Sequence, residues 1–492
     1  MQKNVFILGL NNQNPKLLEA IPGADDLSFH PLLKMDQLVE APSYDFDALL
    51  SEARRQLEAF DGSVDGITTF WDFPTTGLAA VLCREYDLPG ATPEALVRCS
   101  HKYQSRRIQR EVIPEHVPEF SAFDPFAGDP LSDIGLSFPF FVKPVKSYSS
   151  VLSFYVSSAE DFEEVLPKLR EGVSRYGEPY QAFLEEVGLA DNNDGVKADW
   201  CIAEKIIGGK MCTVEGYARN GAVKIFGLID SHRYPGRSSF TRYQYPSDLP
   251  EAIFERIVEI SEKIMGEIGY EDAAFNIEYF YDKKAEQIWL LEINPRISHH
   301  KVIVDLALGR EPEMPVREGK YRTAAKFYLR EFRDGVVQQV PDPDNIDRLH
   351  EQYPDAIILS HVEPGQRLSE LVDQESYSYR LGVVYLGAQS GRELLEKFAW
   401  CSAGLNFRIA PTGPIEAGDA EAIAEEAEEG PFVQTQEQMP FEVRTIEHAW
   451  ITMRDGCRLS AKIWYPAGAE DQPVPAILEY IPYRKRDHTS QA

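Results

Sequence analysis

No stretch of the sequence approaches the roughly eighteen consecutive apolar residues that a membrane-crossing helix needs, so no such helix is expected. The start, MQKNVFILGLNNQNP, has a short apolar run and no small-residue cleavage pattern. It reads as a first strand and not as a leader. Basic charge is scarce. Fifty Lys and Arg against 79 Asp and Glu leave a formal net charge of −29. That argues against nucleic acid or an anionic membrane as a main partner, because both are bound by basic surface. Cysteine is sparse too: six residues, at 83, 99, 201, 212, 401 and 457, with no CxxC and no metal-ligand spacing. Reduced thiols in a cytoplasmic protein are the expectation. NNQN after the first strand is not a GxGxxG, so no dinucleotide fingerprint is present. No internal repeat is visible.

What is present is 492 residues with a hydrophobic fraction of 43%, enough for several domains with sizeable cores. Residues 1–100 alternate strand and helix: VFILGL, a helix over 47–59, DGITTFW, then the helix TTGLAAVLCREY. This is a small Rossmann-like α/β unit. Residues 138–157 read as two strands joined by a Ser-rich loop, followed by a helix over 159–170. Strands with a tight turn at RNGA fill 200–230, and a helix covers 251–268. Residues 310–410 are mixed α/β. The stretch from 411 to 438 is an acidic linker, and strand patterns resume after it.

FNIEYF (275–280) and IWLLEINP (288–295) are separated by YDKKAEQ, a loop suited to a hairpin. Alternation of faces puts Phe275, Ile277, Tyr279, Trp289, Leu291 and Ile293 on an apolar side. Asn276, Glu278, Leu290, Glu292 and Asn294 take the other. Glu278 and Glu292 then lie diagonally, roughly 7–8 Å or less apart. Carboxylates that close repel unless a cation lies between them. With Asn294 as a third oxygen donor, the set suits Mg²⁺. Arg296 follows at the strand end, where it can reach a phosphate.

A phosphate cradle is needed elsewhere. In FVKP (141–144), Lys143 ends an apolar strand just before a loop with Ser147, Ser149 and Ser150. Such a loop offers hydroxyls and backbone N–H groups to phosphate, and the lysine adds a point charge. Lys102, in RCSHKYQSRR, opens a second basic cluster at a helix start.

Taken in order, Lys102, FVKP, AEKIIGGKMCTVEG (203–216), FNIEYF and LLEINPR resemble the ATP-grasp superfamily. The resemblance covers about residues 1–410. It implies a pre-ATP-grasp domain (1–100), an ATP-grasp domain (101–310) and a carboxy-terminal subdomain (311–410) similar to that of L-amino acid ligases and of biotin carboxylase. The implied activity is ATP-dependent joining of a carboxylate to an amine through an acyl-phosphate, with ADP formed. ATP, Mg²⁺ (usually two ions), small-molecule carboxylate and amine substrates and a homodimer are the corresponding cofactors and partners. A carboxylase, or a module that only binds nucleotide, is the alternative.

On the resemblance, Lys102, Lys143, Ser149 and Lys205 contact ATP, and Glu204 and Ile207 present backbone groups to adenine. Glu278, Glu292 and Asn294 hold the metal, and Arg296 is catalytic. AEKII is preferred as the hinge over FLEEV (183–187), which contains Glu186. Two departures stand out: SYSSVLS lacks the phosphate-loop glycine, and Met211 replaces a frequent Glu. ISHH (297–300) offers His299 and His300 to a substrate. SHRYPGRSSFTRYQYP (231–246) is either a surface loop or a substrate-carboxylate site using Arg233, Arg237 or Arg242.

The tail differs. MRDGCRLSAKIWYPAG (453–468) and PVPAILEYIPYRKRD (473–487) resemble the start of the CocE/X-prolyl dipeptidyl-peptidase group of α/β-hydrolases. Tyr483 would map to the oxyanion-hole tyrosine of that family, whose catalytic triad lies further downstream. Residues 439–492 thus read as a truncated, β-rich hydrolase start.

Overall fold

VFILGL becomes β1 (Lys3–Leu8), flanked in parallel by β2 (Leu27–Leu32) and β3 (Gly66–Thr69). The unbroken apolar run has a reason, since this central strand is buried on both faces. Val5 and Ile7 pack towards Val304 and Leu308, while Phe6 and Leu8 pack towards the helices Phe46–Glu58 and Thr75–Glu85. The first of these is capped by Asp45, whose carboxylate accepts from the Ala48 N–H. The computed structural model describes residues 2–10, 18–19, 21–38, 43–148, 151–192, 194–234, 237, 239–297, 299–314, 318–371, 378–412, 443–452 and 458–466.

A second, antiparallel sheet contains β4 (Phe120–Phe123), β5 (Phe140–Pro144), β6 (Phe154–Val156) and β7 (Cys201–Lys205), in the order β4-β7-β5-β6. The helix Ala159–Gly172 buries Phe162, Val165 and Leu169 against it. The next helix, Ser174–Glu186, instead inserts Tyr176, Tyr180 and Phe183 into the amino-terminal core beside Phe46 and Phe73. This helix contains FLEE of the rival hinge, so that segment cannot join two sheets; Glu186 ion-pairs with Arg54. The segment that does link them is 206–209, directly after β7.

The third sheet is built from β8 (Lys210–Arg219), β9 (Ala222–Arg233), β10 (Phe240–Tyr245), β11 (Ala273–Asp282), β12 (Gln287–Asn294), β13 (Thr323–Glu331), β15 (Ile357–Ser360) and β16 (Tyr379–Ala388). It is antiparallel throughout, in the order β12-β11-β8-β9-β10-β13-β16-β15. A short ladder of β14 (Gly335–Gln339) with β17 (Arg408–Pro411) lies apart from it. The expected turn at RNGA joins β8 to β9 through Asn220 and Gly221, both at positive φ, as a two-residue hairpin of that hand requires. The helix Glu251–Ile268 buries Ile253, Ile257, Ile260, Ile264 and Ile268 at helical spacing against Phe275, Ile277 and Ile293. Gly269 ends it in the left-handed conformation. Residues 311–410 thus extend the sheet that carries the FNIEYF hairpin, covered by the helix Gly391–Gly404, whose Phe398 stacks on Phe327. Within the basic segment 231–246, residues 231–233 end β9 and residues 240–245 form β10, so these parts are strand and not loop.

The chain forms two compact units, 1–423 and 424–492. In the second, β18 (Val443–Thr452) and β19 (Arg458–Pro466) form an antiparallel hairpin. Most of the acidic linker, and Tyr483, lie outside the described residues.

Candidate active site

The hairpin β11–β12 pairs Asn276 with Asn294, Ile277 with Ile293 and Glu278 with Glu292; the register then slips, so Tyr279 faces Leu290. Two expectations change. Glu278 and Glu292 are directly opposite and not diagonal, which sets their Cβ atoms about 4.5–5.5 Å apart. Leu291 is the extra residue of a bulge, so Leu290 joins the core while Leu291 lines the cavity, reversing the faces read from simple alternation.

Burial and Glu292 push Glu278 up, whereas Lys102 and Lys143 hold Glu292 below its ordinary range despite burial. Lys102 opens the helix Lys102–Val112. Its Nζ lies 3.0 Å from Glu292 Oε1 and donates to Ser147 O at 2.8 Å. Asn294 Nδ2 donates to Asn276 Oδ1 at 2.9 Å, so Oδ1 is the end of Asn294 that could hold a cation, and Asn276 Nδ2 bonds Arg296 O. Two opposed carboxylates and an amide oxygen form an all-oxygen donor set, which fits Mg²⁺.

Lys143, at the end of β5, pairs with Glu204 Oε2 at 2.7 Å. The other carboxylate oxygen of Glu204 accepts from Arg106 Nε at 2.6 Å. Burial would raise Glu204, yet these two cations hold it down at about 2. Arg106 was not foreseen. It lies one helical turn from Lys102 and donates to Leu290 O and Leu291 O at 2.9 and 2.7 Å, fastening the bulge of β12 to the strand carrying Glu204.

Arg296 Nε lies 3.4 Å from Asp72 Oδ2, and Lys146 Nζ lies 3.0 Å from Asp72 Oδ1. Asp72 follows β3, so the amino-terminal domain supplies the counter-ion of the arginine. Lys146 and Arg296 hold its buried carboxyl below the usual range although burial opposes them. Glu215 on β8 also enters the cavity beside Asn276, and burial pushes it up to about 7. Its signal in the sequence was the alternation of TVEGY, which puts Thr213 and Glu215 on one face.

Lys102, Lys143, Glu204, Glu215, Glu278, Glu292, Asn294 and Arg296 line one cleft of about 740 Å³, together with Lys205, Ile206, Ile207 and Arg233, while Arg106, Asp72 and Lys146 lie behind them. Lys205 Nζ bonds Ser137 Oγ at 2.9 Å. Ser149 lies outside the described residues. His299 and His300 do not line the cleft, contrary to expectation. Ile297 is fully buried and turns the chain into the helix His300–Ala307. His299 consequently faces Phe226, and His300 packs on Phe70. Of the arginines proposed for substrate, only Arg233 lines the cleft. Arg237 sits over the Phe332 ring, and Arg242 bonds Gln244.

Residues 136–303 match the family model described as ATP-grasp domain, and residues 455–492 match that of the X-Pro dipeptidyl-peptidase (S15 family). The chain therefore carries an ATP-grasp domain and a tail similar to the peptidase family. It is 22% identical over 395 residues, 77% of this chain and 74% of the other, to the uncharacterized protein y4rH of Sinorhizobium fredii (strain NBRC 101917 / NGR234). The crystal structure of L-amino acid ligase from Bacillus licheniformis is similar at 18% identity with a TM-score of 0.61, covering 83% of this chain and 98% of that one. Biotin carboxylase from Campylobacter jejuni, solved as a β,γ-ATP complex, is similar at 15% identity and a TM-score of 0.53, covering 84% and 93%. The fold is thus an ATP-grasp fold.

Proposed function

We propose that the protein is a Mg²⁺-dependent ligase that activates a carboxylate with ATP and joins it to an amine, with amino-acid-like substrates. The observation that carries this reading is the opposed pair Glu278 and Glu292, with Asn294 beside it and Lys102 and Lys143 close by in one cleft. A site that only held nucleotide would have little use for two half-buried carboxylates set directly against each other.

Glu278, Glu292 and Asn294 would hold Mg²⁺, which supplies charge neutralisation at the transferring phosphate. The substrate carboxylate oxygen attacks the γ-phosphorus, the bond to the bridging oxygen breaks, and ADP leaves. Lys102 and Lys143 would meet the charge of the phosphates, and Ile207, in the segment between the sheets, would meet the base. The amine then attacks the acyl-phosphate carbonyl, phosphate departs, and the nitrogen loses a proton. Glu215, which titrates near neutrality, is a carboxyl suited to receive it. Arg296 neutralises phosphate oxygens, and its orientation is set by Asp72. Little covalent work falls to the protein, so no nucleophilic Ser or Cys is needed.

The test is ADP release with Mg²⁺ across a panel of amino acids, with Glu292→Gln as control. Stimulation by pairs of amino acids supports the ligase. ADP release that depends on bicarbonate instead assigns a carboxylase, and no stimulation by any carboxylate or amine overturns the reading.

A further inference from the structure

Lys146 is 3% exposed and does not line the cleft, yet both of its links lead to groups that do. Its ammonium pairs with Asp72 at 3.0 Å and lies 5.7 and 5.6 Å from the ring centroids of Phe73 and Tyr180. It is thereby held between the amino-terminal domain and the helix Ser174–Glu186. Asp72 in turn pairs with Arg296. On the backbone side, Lys146 stands in the segment that anchors Lys102. The Lys102 N–H donates to Val145 O at 3.1 Å, and its Nζ donates to Ser147 O at 2.8 Å. Lys102 then pairs with Glu292.

These contacts close a circuit. It runs from Glu292 to Lys102, through the segment 145–147 to Lys146, on to Asp72 and Arg296, and back along the end of β12 to Glu292. Asp72 already has a cation in Arg296, so a second buried ammonium is a cost that folding alone does not require. A carboxylate shared by two cations divides its attraction between them. Without Lys146 the whole charge of Asp72 would fall on Arg296 and hold the guanidinium back from a phosphate. The segment beneath Lys102 would lose its tie to the amino-terminal domain as well.

We propose that Lys146 is a positioning residue: through Asp72 it sets Arg296 at the transferring phosphate, and through the segment 145–147 it sets Lys102 at Glu292. The proposal rests on the reading of Arg296 as the arginine that meets that phosphate, and its test needs no amino-acid substrate. The full chain is titrated calorimetrically with Mg²⁺ and ADP, with and without aluminium fluoride, a mimic of the phosphoryl group in transfer. Lys146→Met and Asp72→Asn should each weaken the aluminium fluoride complex about 10-fold while moving ADP alone less than about 3-fold. Because both break one link, the double variant should also lose about 10-fold, against the roughly 100-fold expected of independent sites. A lysine with a merely structural role would lower the urea midpoint and produce no such split. Lys146→Gln, which keeps a hydrogen bond to Asp72 but no charge, replaces Lys146→Met in the cycle if the latter does not fold. An unchanged complex, additive losses, equal losses with and without aluminium fluoride, or no gain from aluminium fluoride in the unsubstituted chain overturns the proposal. ADP release across the amino-acid panel separates the two readings. A shared loss on the fluoride complex without ADP release keeps the role of Lys146 and removes the ligase. ADP release with additive losses does the reverse.

Discussion

Replacing Arg106 with Met removes a guanidinium that is 2% exposed and fully engaged. Its Nε reaches Glu204, Nη1 reaches Gln109 Oε1 and Leu290 O, and Nη2 reaches Leu291 O, at 2.6 to 2.9 Å. Breaking a buried ion pair from one side costs about 3–5 kcal/mol, because the partner is left charged and buried. Lys143 still neutralises Glu204 from the other side, which places the loss near the lower end, about 3 kcal/mol. The two carbonyls of the bulge lose their donor as well. Lysine at this position keeps the charge but cannot fork to four acceptors, so Arg106→Lys should recover less than half of the loss. The assay is urea unfolding followed by intrinsic fluorescence, with the stability change taken from the midpoint shift at unchanged slope. A loss under about 1 kcal/mol, the range of exposed ion pairs, would refute the view that Arg106 welds the bulge to β7.

Further outcomes follow from the same geometry. Glu204 takes up its proton at about 2 in the folded chain against an ordinary value of 4.5. Its stabilisation is therefore complete above pH 4.5 and lost as pH falls towards 2, up to about 3 kcal/mol; the urea midpoint of Glu204→Gln should be flatter over that window. On the proposed reading, Glu292→Gln should lower ADP release on the order of 100-fold or more, since it removes the charge proposed to hold Mg²⁺ and takes the carboxylate from Lys102. Asp72→Asn should lower kcat about 10-fold with little change in the KM for ATP, because Arg296 loses its orienting anion; an unchanged kcat would contradict that role.

The parts of the site legible in the sequence are those fixed by local pattern. FVKP ends a strand because its apolar run permits nothing else in that place, and Glu278, Glu292 and Asn294 share a face because strands alternate. The register was not legible. A bulge depends on which residues of the partner strand it meets, and it exchanged Leu290 with Leu291 although both are leucine. The helix Ser174–Glu186 was hidden by Gly177 and Pro179 within it, residues that weaken helical propensity, so its end stood as a rival to the preferred hinge AEKII. Tertiary burial of Tyr176, Tyr180 and Phe183 overrides that weakness. Asp72, Lys146 and Arg106 escaped notice because their partners are distant in the chain. The histidines after Arg296 misled because proximity in sequence carried no information once Ile297 turned the chain.

That same helix bears on the order in which the polypeptide matures. Tyr176, Tyr180, Phe183 and Leu184 complete the core begun by Phe46, Phe73 and Leu78. Residues 1–100 leaving the ribosome thus hold an open, aromatic-lined gap until some eighty further residues have been made. Vectorial synthesis normally lets an amino-terminal domain close before the next one starts. Here its closure waits on a helix from the middle of the chain, and three of the four strands of the sheet that carries Lys143 have been translated by then.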